Sequence, residues 1–265
     1  MDQLTPSCFI IDTLPASPKH FASFLVQSSD RSSYAIIETS THKASMNTLQ
    51  TLHVHEIPFD RISLIIPTHV HLDHAGGCGL LSAHFPNAKV AAHAAGVKHL
   101  VDPSQLNAAA RSVYSDQVMD ESVGESIPIS SDKVISLQDN QLLNVGDLQL
   151  QCIYTHGHAY HHMCVYDCTN KALYAGDALG SLYDVDGQSF LVLGSAPTQF
   201  DPSVWNESID RIRGLEISTV FLTHFGAVSD VEWLIQSISD LIKEHDDIAR
   251  TNETDDIPQA LTDFL

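Results

Sequence analysis

The stretch Thr68-His69-Val70-His71-Leu72-Asp73-His74-Ala75-Gly76-Gly77 puts three imidazoles and one carboxylate within six residues, His69 to His74. Such side chains are the donors that divalent cations accept. Alternate residues of a turn project in different directions, so all four cannot close on one tetrahedral ion without strain, and two ions sharing the turn is the natural arrangement. Further donors must then come from elsewhere. Three segments offer them: Thr155-His156-Gly157-His158-Ala159-Tyr160-His161-His162, the aspartate of Leu173-Tyr174-Ala175-Gly176-Asp177, and the histidine of Phe221-Leu222-Thr223-His224-Phe225-Gly226. Cations held by such residues acidify a water and polarise a carbonyl or phosphoryl oxygen, so no serine or cysteine nucleophile is required.

Each of these blocks follows a stretch that reads as a strand, which is where ligands bind in α/β folds. The β-branched run Ile62 to Pro67 reads as a buried strand, whereas 148–154 alternates and reads as half-exposed. Further strands are expected at 8–12, 33–38, 89–92, 134–137, 163–166, 172–175 and 219–222. Helices are expected at 43–53, 77–85, 94–101, 105–118, 202–213 and 229–245, with Gly76 and Gly77 letting the backbone bend before the second of them. The last helix carries Val231, Leu234, Ile235, Ile238, Leu241 and Ile242 on one face, with Ser229 and Glu232 as a capping box. Beyond it the chain turns acidic, reading as a solvated tail from about residue 246 with a short docking segment at 257–265. No repeat or Pro/Gly-rich linker divides residues 1–265, so a single mixed α/β domain is expected.

With 13 Lys plus Arg against 33 Asp plus Glu, the formal charge is −20, which repels phosphate backbones and sets nucleic acid aside as a partner. A bound cation can reverse that sign locally. The content of 43% hydrophobic and 17% charged residues suits a folded globular chain. Five cysteines, odd in number and scattered, argue against a disulfide framework and read as buried apolar residues. The N-terminus has no basic region leading into an apolar run, and no apolar stretch is long enough for a membrane span, so a cytoplasmic protein acting on a small molecule is expected, its oligomeric state left open.

The order of the four blocks resembles the metallo-β-lactamase fold superfamily, and within it the glyoxalase II-like hydrolases, over about residues 30–235. The resemblance implies an αβ/βα four-layer sandwich of two mixed sheets with helices outside. It implies that His69, His71 and His158 hold one ion, that Asp73, His74 and His224 hold a second, and that Asp177 bridges them. The cofactors implied are two divalent metal ions, zinc first, with iron or manganese able to use the same donors. The reaction implied is hydrolysis by a metal-bridging hydroxide that Asp73 orients, Asp73 also receiving a proton as the intermediate collapses. This chain departs from the family in two places. Thr155-His156-Gly157-His158 stands where Thr-Pro-Gly-His is usual, leaving His156 as a spare imidazole, and Glu38-Thr39-Ser40 stands where Asp-Thr-Gly is usual.

The residues after Arg213 include only Lys243 and Arg250 as basic groups, which does not favour a glutathione thioester and leaves a small ester, another thioester or a lactone. The connection 178–200 reads as a long loop over the site, and its Tyr183 is the candidate to bond a substrate oxygen. Two alternatives stand beside hydrolysis: a mononuclear-iron sulfur (persulfide) dioxygenase of the same superfamily, and a non-catalytic binding protein whose metals staple the loops. His161 and His162, three and four residues past His158, are candidates to hold a ligand or the substrate, and His156 is a third. His20, His42, His53, His55, His84, His93, His99 and His245 read as surface or core histidines.

Overall fold

A computed structural model describes residues 1–14, 18–194 and 199–251. The first sheet runs in chain order: β1 (Asp2–Thr5), β2 (Cys8–Asp12), β3 (Ala22–Gln27), β4 (Tyr34–Ile37), β5 (Ile62–Ile66), β6 (Lys89–His93) and β7 (Val134–Leu137). Its first four strands pair antiparallel and the pairs from β4 to β7 are parallel. The second sheet contains β8 (Leu142–Val145), β9 (Leu148–Tyr154), β10 (Met163–Asp167) and β11 (Ala172–Gly176), then β14 (Thr219–Leu222) and β15 (Gly226–Val228). A separate hairpin, β12 (Ser181–Val185) and β13 (Gln188–Val192), stands between them in sequence.

The helices are α1 (Ser45–Val54), α2 (Leu72–Ala75), α3 (Cys78–His84), α4 (Val97–Val101), α5 (Ser104–Val113), α6 (Asp116–Val118), α7 (Pro202–Arg213) and α8 (Val231–Thr251). Strand alternation decides what each layer meets. In β4, Ala35 and Ile37 join Phe24, Leu150, Val165, Tyr174 and Phe221 in a core between the two sheets. Tyr34 and Ile36 point the other way, onto Leu52 of α1 and Leu81 of α3. The second sheet does the same on its far side, where Ile153, Leu173, Val220 and Leu222 meet Trp205 and Ile209 of α7 and Leu234, Ile235, Ile238 and Ile242 of α8. Helix, sheet, sheet, helix is the four-layer αβ/βα sandwich. Cys8, Cys78, Cys152 and Cys164 are buried in it, their thiols pushed up to about 12 chiefly by burial, and Cys168 is half-buried. Among the described residues no helix is long and apolar enough to cross a membrane.

Several elements differ from the sequence reading. The connection 178–200 is not a plain loop: Asp186 and Gly187, both at positive φ (54° and 80°), form the turn of the β12–β13 hairpin, the Asp-Gly signal that a two-residue turn of this hand favours. Strand β3 is fully buried despite Ser23 and Gln27, whose polarity hid it. The helix expected over 105–118 stops at Val113 and resumes after Ser115, whose Oγ accepts from Val118 N (3.3 Å). The last helix is capped by Asp230, whose Oδ1 accepts from Trp233 N (3.1 Å), rather than by Ser229, and it continues to Thr251 past the start expected for the acidic tail. The docking segment expected at 257–265 lies outside the described residues. Gly76 and Gly77 have ordinary helical φ values of −58° and −83°. Their role is close packing: a Cβ on Gly77 would come 2.4 Å from Ser45 Cβ.

Candidate metal centre

The C-terminal ends of β4, β5, β9, β11 and β14 meet at one edge of the sandwich and deliver the sequence blocks there. Two backbone bonds tie the edge across the sheets: Met163 N donates to Thr68 O, and Ala22 N to Thr223 O, both at 2.9 Å. Gly157 lets the turn bearing His158 lie flat on α7. It has φ +124°, and a Cβ there would come 2.3 Å from Trp205 Cβ.

All seven residues expected as metal ligands come together. The ligand atoms of His69, His71 and His158 lie within 4.8 Å of one another, as do those of Asp73, His74 and His224, and those of His69, His74 and Asp177. In the first group, Nδ1 of His71 is 2.8 Å from Nε2 of His69 and 3.1 Å from Nε2 of His158. His158 uses its other nitrogen, Nδ1, to donate to Gly194 O at 2.6 Å, while Nδ1 of His69 sits 3.2 Å from Thr68 Oγ1. Nε2 of His158 thus presents a lone pair to His71 Nδ1, which Nε2 of His69 faces as well, and one proton on Nδ1 can serve only one of them. A tetrahedral ion with bonds of about 2.0–2.1 Å keeps its nitrogens about 3.3 Å apart and would satisfy all three.

The second group repeats the pattern. His74 Nδ1 is paired with the Glu38 carboxylate, and His224 Nδ1 donates to His20 O (3.0 Å). Their Nε2 atoms therefore face inward, His74 lying 3.4 Å and His224 3.5 Å from Asp73 Oδ2. Asp177 lies between the groups. Its Oδ2 is 3.4 Å from His158 Nε2, and its Oδ1 is 3.3 Å from His74 Nε2 and 3.5 Å from His224 Nε2. Asp177 Oδ1 is buried and accepts no hydrogen bond, an expensive state for a carboxylate oxygen that a cation would relieve.

The electrostatics also call for positive charge. Burial works against charge on His74, but Asp177, Glu38 and Asp73 outweigh it and raise its pKa well above the imidazole range. Asp73 is held well below the carboxylate range: burial raises it, and His74 and His224 more than reverse that. Asp177 is lowered in the same way, against its burial, by His74 and His158. In the first group burial pushes His71 down to about 4, with His158 adding to it, and pushes His69 well below its ordinary value. Those rings stay neutral, with lone pairs available at neutral pH.

The remaining candidates divide. His162 is fully buried and works as a brace: Nε2 accepts from Asp177 N (3.2 Å) and Nδ1 meets Thr155 Oγ1 (2.8 Å). His161 lies beside the first group, its ring 5.3 Å from that of His71 and stacked 6.0 Å from that of His69. His156 turns away, its Nε2 3.1 Å from His93 Nε2. Tyr183, on β12, has its ring 5.6 Å from that of His20 and lines a cavity of about 680 Å³ with Lys19, His20, Asp184, Ser189 and Phe225.

Spacing alone misses two supports. Glu38, fully buried at φ +65°, accepts from Thr68 N (2.6 Å) and Thr223 Oγ1 (3.2 Å) besides pairing with His74. In the sequence it stands out only as a departure from the usual Asp-Thr-Gly, and that departure is the available signal. The other support is the carbonyl of His20, for which no residue-type signal exists.

A family model described as the metallo-beta-lactamase superfamily matches residues 22–224, well over half of the chain. The chain belongs to the metallo-β-lactamase superfamily. Within it, the chain is 30% identical over 173 residues to the metallo-beta-lactamase fold-containing protein ST1585 of Sulfurisphaera tokodaii, covering 64% of this chain and 63% of that protein. It is also 30% identical over 146 residues to the human acyl-coenzyme A thioesterase MBLAC2, covering 53% of this chain and 50% of the human protein. The chain thus spans less than two thirds of either relative. Among solved structures, the archaeal ST1585 superimposes with a TM-score of 0.70 at 24% identity over 88% of this chain and 85% of that one. The metallo-beta-lactamase family protein TTHA1429 from Thermus thermophilus gives 0.67 at 22% identity over 92% and 81%. These likenesses show the superfamily's fold.

Proposed function

We propose that the protein is a dinuclear metal-dependent hydrolase of a small ester, thioester or lactone, with His69, His71 and His158 at one ion, Asp73, His74 and His224 at the other, and Asp177 between them. The observation that carries this reading is the placement of the Asp177 carboxylate, one oxygen toward each histidine group and one of them without a hydrogen-bond donor. When bound, two divalent cations supply Lewis acidity toward the scissile carbonyl and a water acidic enough to ionise near neutral pH. Zinc suits the imidazole-rich donor set, and iron and manganese can use it.

The chain's own residues do the rest. Asp73 keeps 36% of its side chain accessible, unlike the buried donors around it, so it can face both the reacting water and the departing group. It orients the resulting hydroxide and receives its proton as the intermediate collapses, passing it on to the departing group. Glu38, His20 and Gly194 fix the orientation of His74, His224 and His158 through their Nδ1 atoms. Tyr183 and Lys19 share a cavity with His20, whose carbonyl holds His224, and suit the polar end of a substrate. Among ester-type bonds, the thioester is favoured by the name of the human relative, an acyl-coenzyme A thioesterase.

A mononuclear-iron dioxygenase would need only one of the two donor groups, and the second group with its buried Asp177 weighs against that reading. The test is metal analysis of protein purified without added metal, followed by an ester, thioester and lactone panel before and after chelation. Two equivalents of metal, chelation-sensitive turnover, and a loss of about 10²–10⁴-fold in Asp73→Ala are expected. Full activity in Asp73→Ala, or oxygen uptake during turnover, would overturn the proposal.

A further inference from the structure

His71 and Asp73 form one wall of a groove of about 540 Å³ whose other walls are mostly apolar. Leu72, Leu106, Ala109, Val113 and Tyr114 supply most of them, and His99, Gln105, His161 and Gln199 are the polar groups in between. The groove contains no lysine or arginine, and Asp73 is the one carboxylate among its lining residues. Val113 is 78% exposed, Tyr114 47% and Tyr160 49%, so large apolar side chains are left open to water directly beside the donor cluster. Isolated apolar residues on a surface are ordinary, but a continuous strip that ends at a reactive centre calls for an occupant.

Helix α5 lays Leu106, Ala109, Ala110 and Val113 along this face, and Ala110 packs with Met119, Val123 and Leu72. Arg111, on the opposite side of the helix, holds the following segment in place: Nε donates to Glu125 (2.8 Å), and the two terminal nitrogens donate to Asp116 and Asp120 (both 3.0 Å). These bonds tie the segment after α5 to the helix. The other cavity near the cluster mixes both kinds of group, with Lys19, Asp184, Ser189 and Tyr183 set among Leu182, Val185 and Phe225. A molecule at the centre thus meets mostly hydrocarbon in the groove and a mixed lining in that cavity.

We propose that the groove along α5 is an acyl subsite, taking the hydrocarbon chain of a medium-length acyl ester or thioester whose carbonyl lies over the donor cluster. The proposal rests on the hydrolase reading above and narrows it to substrates with an extended aliphatic acyl group and a polar leaving group. The strip from Gln105 to Val113 spans eight residues of helical rise, about 12 Å. An extended chain advances about 1.2 Å per bond, so about ten bonds fit. The absence of cationic groups from the lining makes the strip unsuitable for a phosphate-bearing leaving group, which fixes the orientation of the substrate.

The test uses full-length, metal-loaded protein and a series of straight-chain acyl thioesters of N-acetylcysteamine, with matching p-nitrophenyl esters, from two to fourteen carbons. We expect kcat/KM to rise about two- to fourfold per methylene and to level off near about ten carbons. Ala109→Trp and Val113→Asp, both at exposed positions, should flatten that dependence. Calorimetric titration of metal-free protein with the neutral probe decan-1-ol gives a second readout, in which both variants should weaken binding at least tenfold. Turnover with no chain-length preference, or a preference and decan-1-ol affinity untouched by both variants, would overturn the subsite while leaving the hydrolase reading intact. Failure to cleave any member of either series would overturn the subsite, and the hydrolase reading falls with it only if the lactones of the panel above are also left intact.

Discussion

Replacing Glu38 by Gln tests how the centre is held together. The Glu38 carboxylate is fully buried and accepts from three donors: Thr68 N–H, Thr223 Oγ1–H and His74 Nδ1–H. Glutamine fits the same space but offers one acceptor oxygen. If its oxygen stays on Thr68 N, its amide group faces His74 Nδ1 and Thr223. The threonine hydroxyl can rotate to accept, but His74 can accept only by moving its proton to Nε2, the atom that faces Asp73 and Asp177. If the amide is reversed, two N–H groups meet at the 2.6 Å contact with Thr68, and a mispaired buried donor costs about 1–3 kcal/mol. Either outcome weakens the Asp73, His74 and His224 group and spares His69, His71 and His158. Loss of an orienting partner of this kind lowers metal affinity about 10–100-fold, or about 1.4–2.8 kcal/mol. Competition with a chromophoric chelator should therefore show one equivalent of zinc bound as in the parent protein and the other released at a much lower chelator concentration. Two equivalents at parental affinity would refute the argument that Glu38 sets the His74 tautomer.

Three further outcomes are expected. Gly157→Ala combines a φ of +124° with a Cβ 2.3 Å from Trp205, so it should lower stability by about 2–5 kcal/mol in urea unfolding, and a loss under about 1 kcal/mol would show that the turn can shift. His93 is pushed down to about 4, mainly by burial and further by His156; its folded pKa lies below the ordinary 6.5, so its contribution to stability is whole above about pH 6.5 and is lost as pH falls toward 4. Urea titrations of chelated His93→Gln across that window should show a slope against pH reduced by up to one proton, about 1.4 kcal/mol per pH unit, and an unchanged slope would remove His93 from the acid response. Metal removal should lower the melting temperature of the parent protein and do so much less in Asp177→Ala, because binding to the native state alone stabilises it; equal shifts would mean that the ions sit elsewhere.

How much of this could be read along the chain is clearest from particular residues. The donor blocks were legible because each is a short, dense run of imidazole and carboxylate placed just after an apolar stretch, and both features survive in one dimension. Helix α8 is legible from its apolar periodicity. Strand β3 was not, since burial on both faces erases alternation and Ser23 and Gln27 look like surface residues until their partners are in place. The Asp-Gly signal of the β12–β13 hairpin stands in the sequence, but the flanking segments 181–185 and 188–192 mix polar and apolar residues without the alternation that marks a strand. By residue type Ser229 and Asp230 both cap α8 well, and only backbone geometry selects Asp230.

Residue types and their local order determined which groups could bind a cation and which segments would form strands, because donor chemistry and side-chain periodicity are properties of neighbours in the chain. Only the tertiary structure decided how those groups are used. The link from Glu38 to His74 crosses 36 residues, that from Glu38 to Thr223 crosses 185, and that from His224 to the His20 carbonyl crosses 204. Which nitrogen of His74 and of His224 faces inward is set by these long-range hydrogen bonds. They form only once the two sheets have packed and brought their strand ends to one edge.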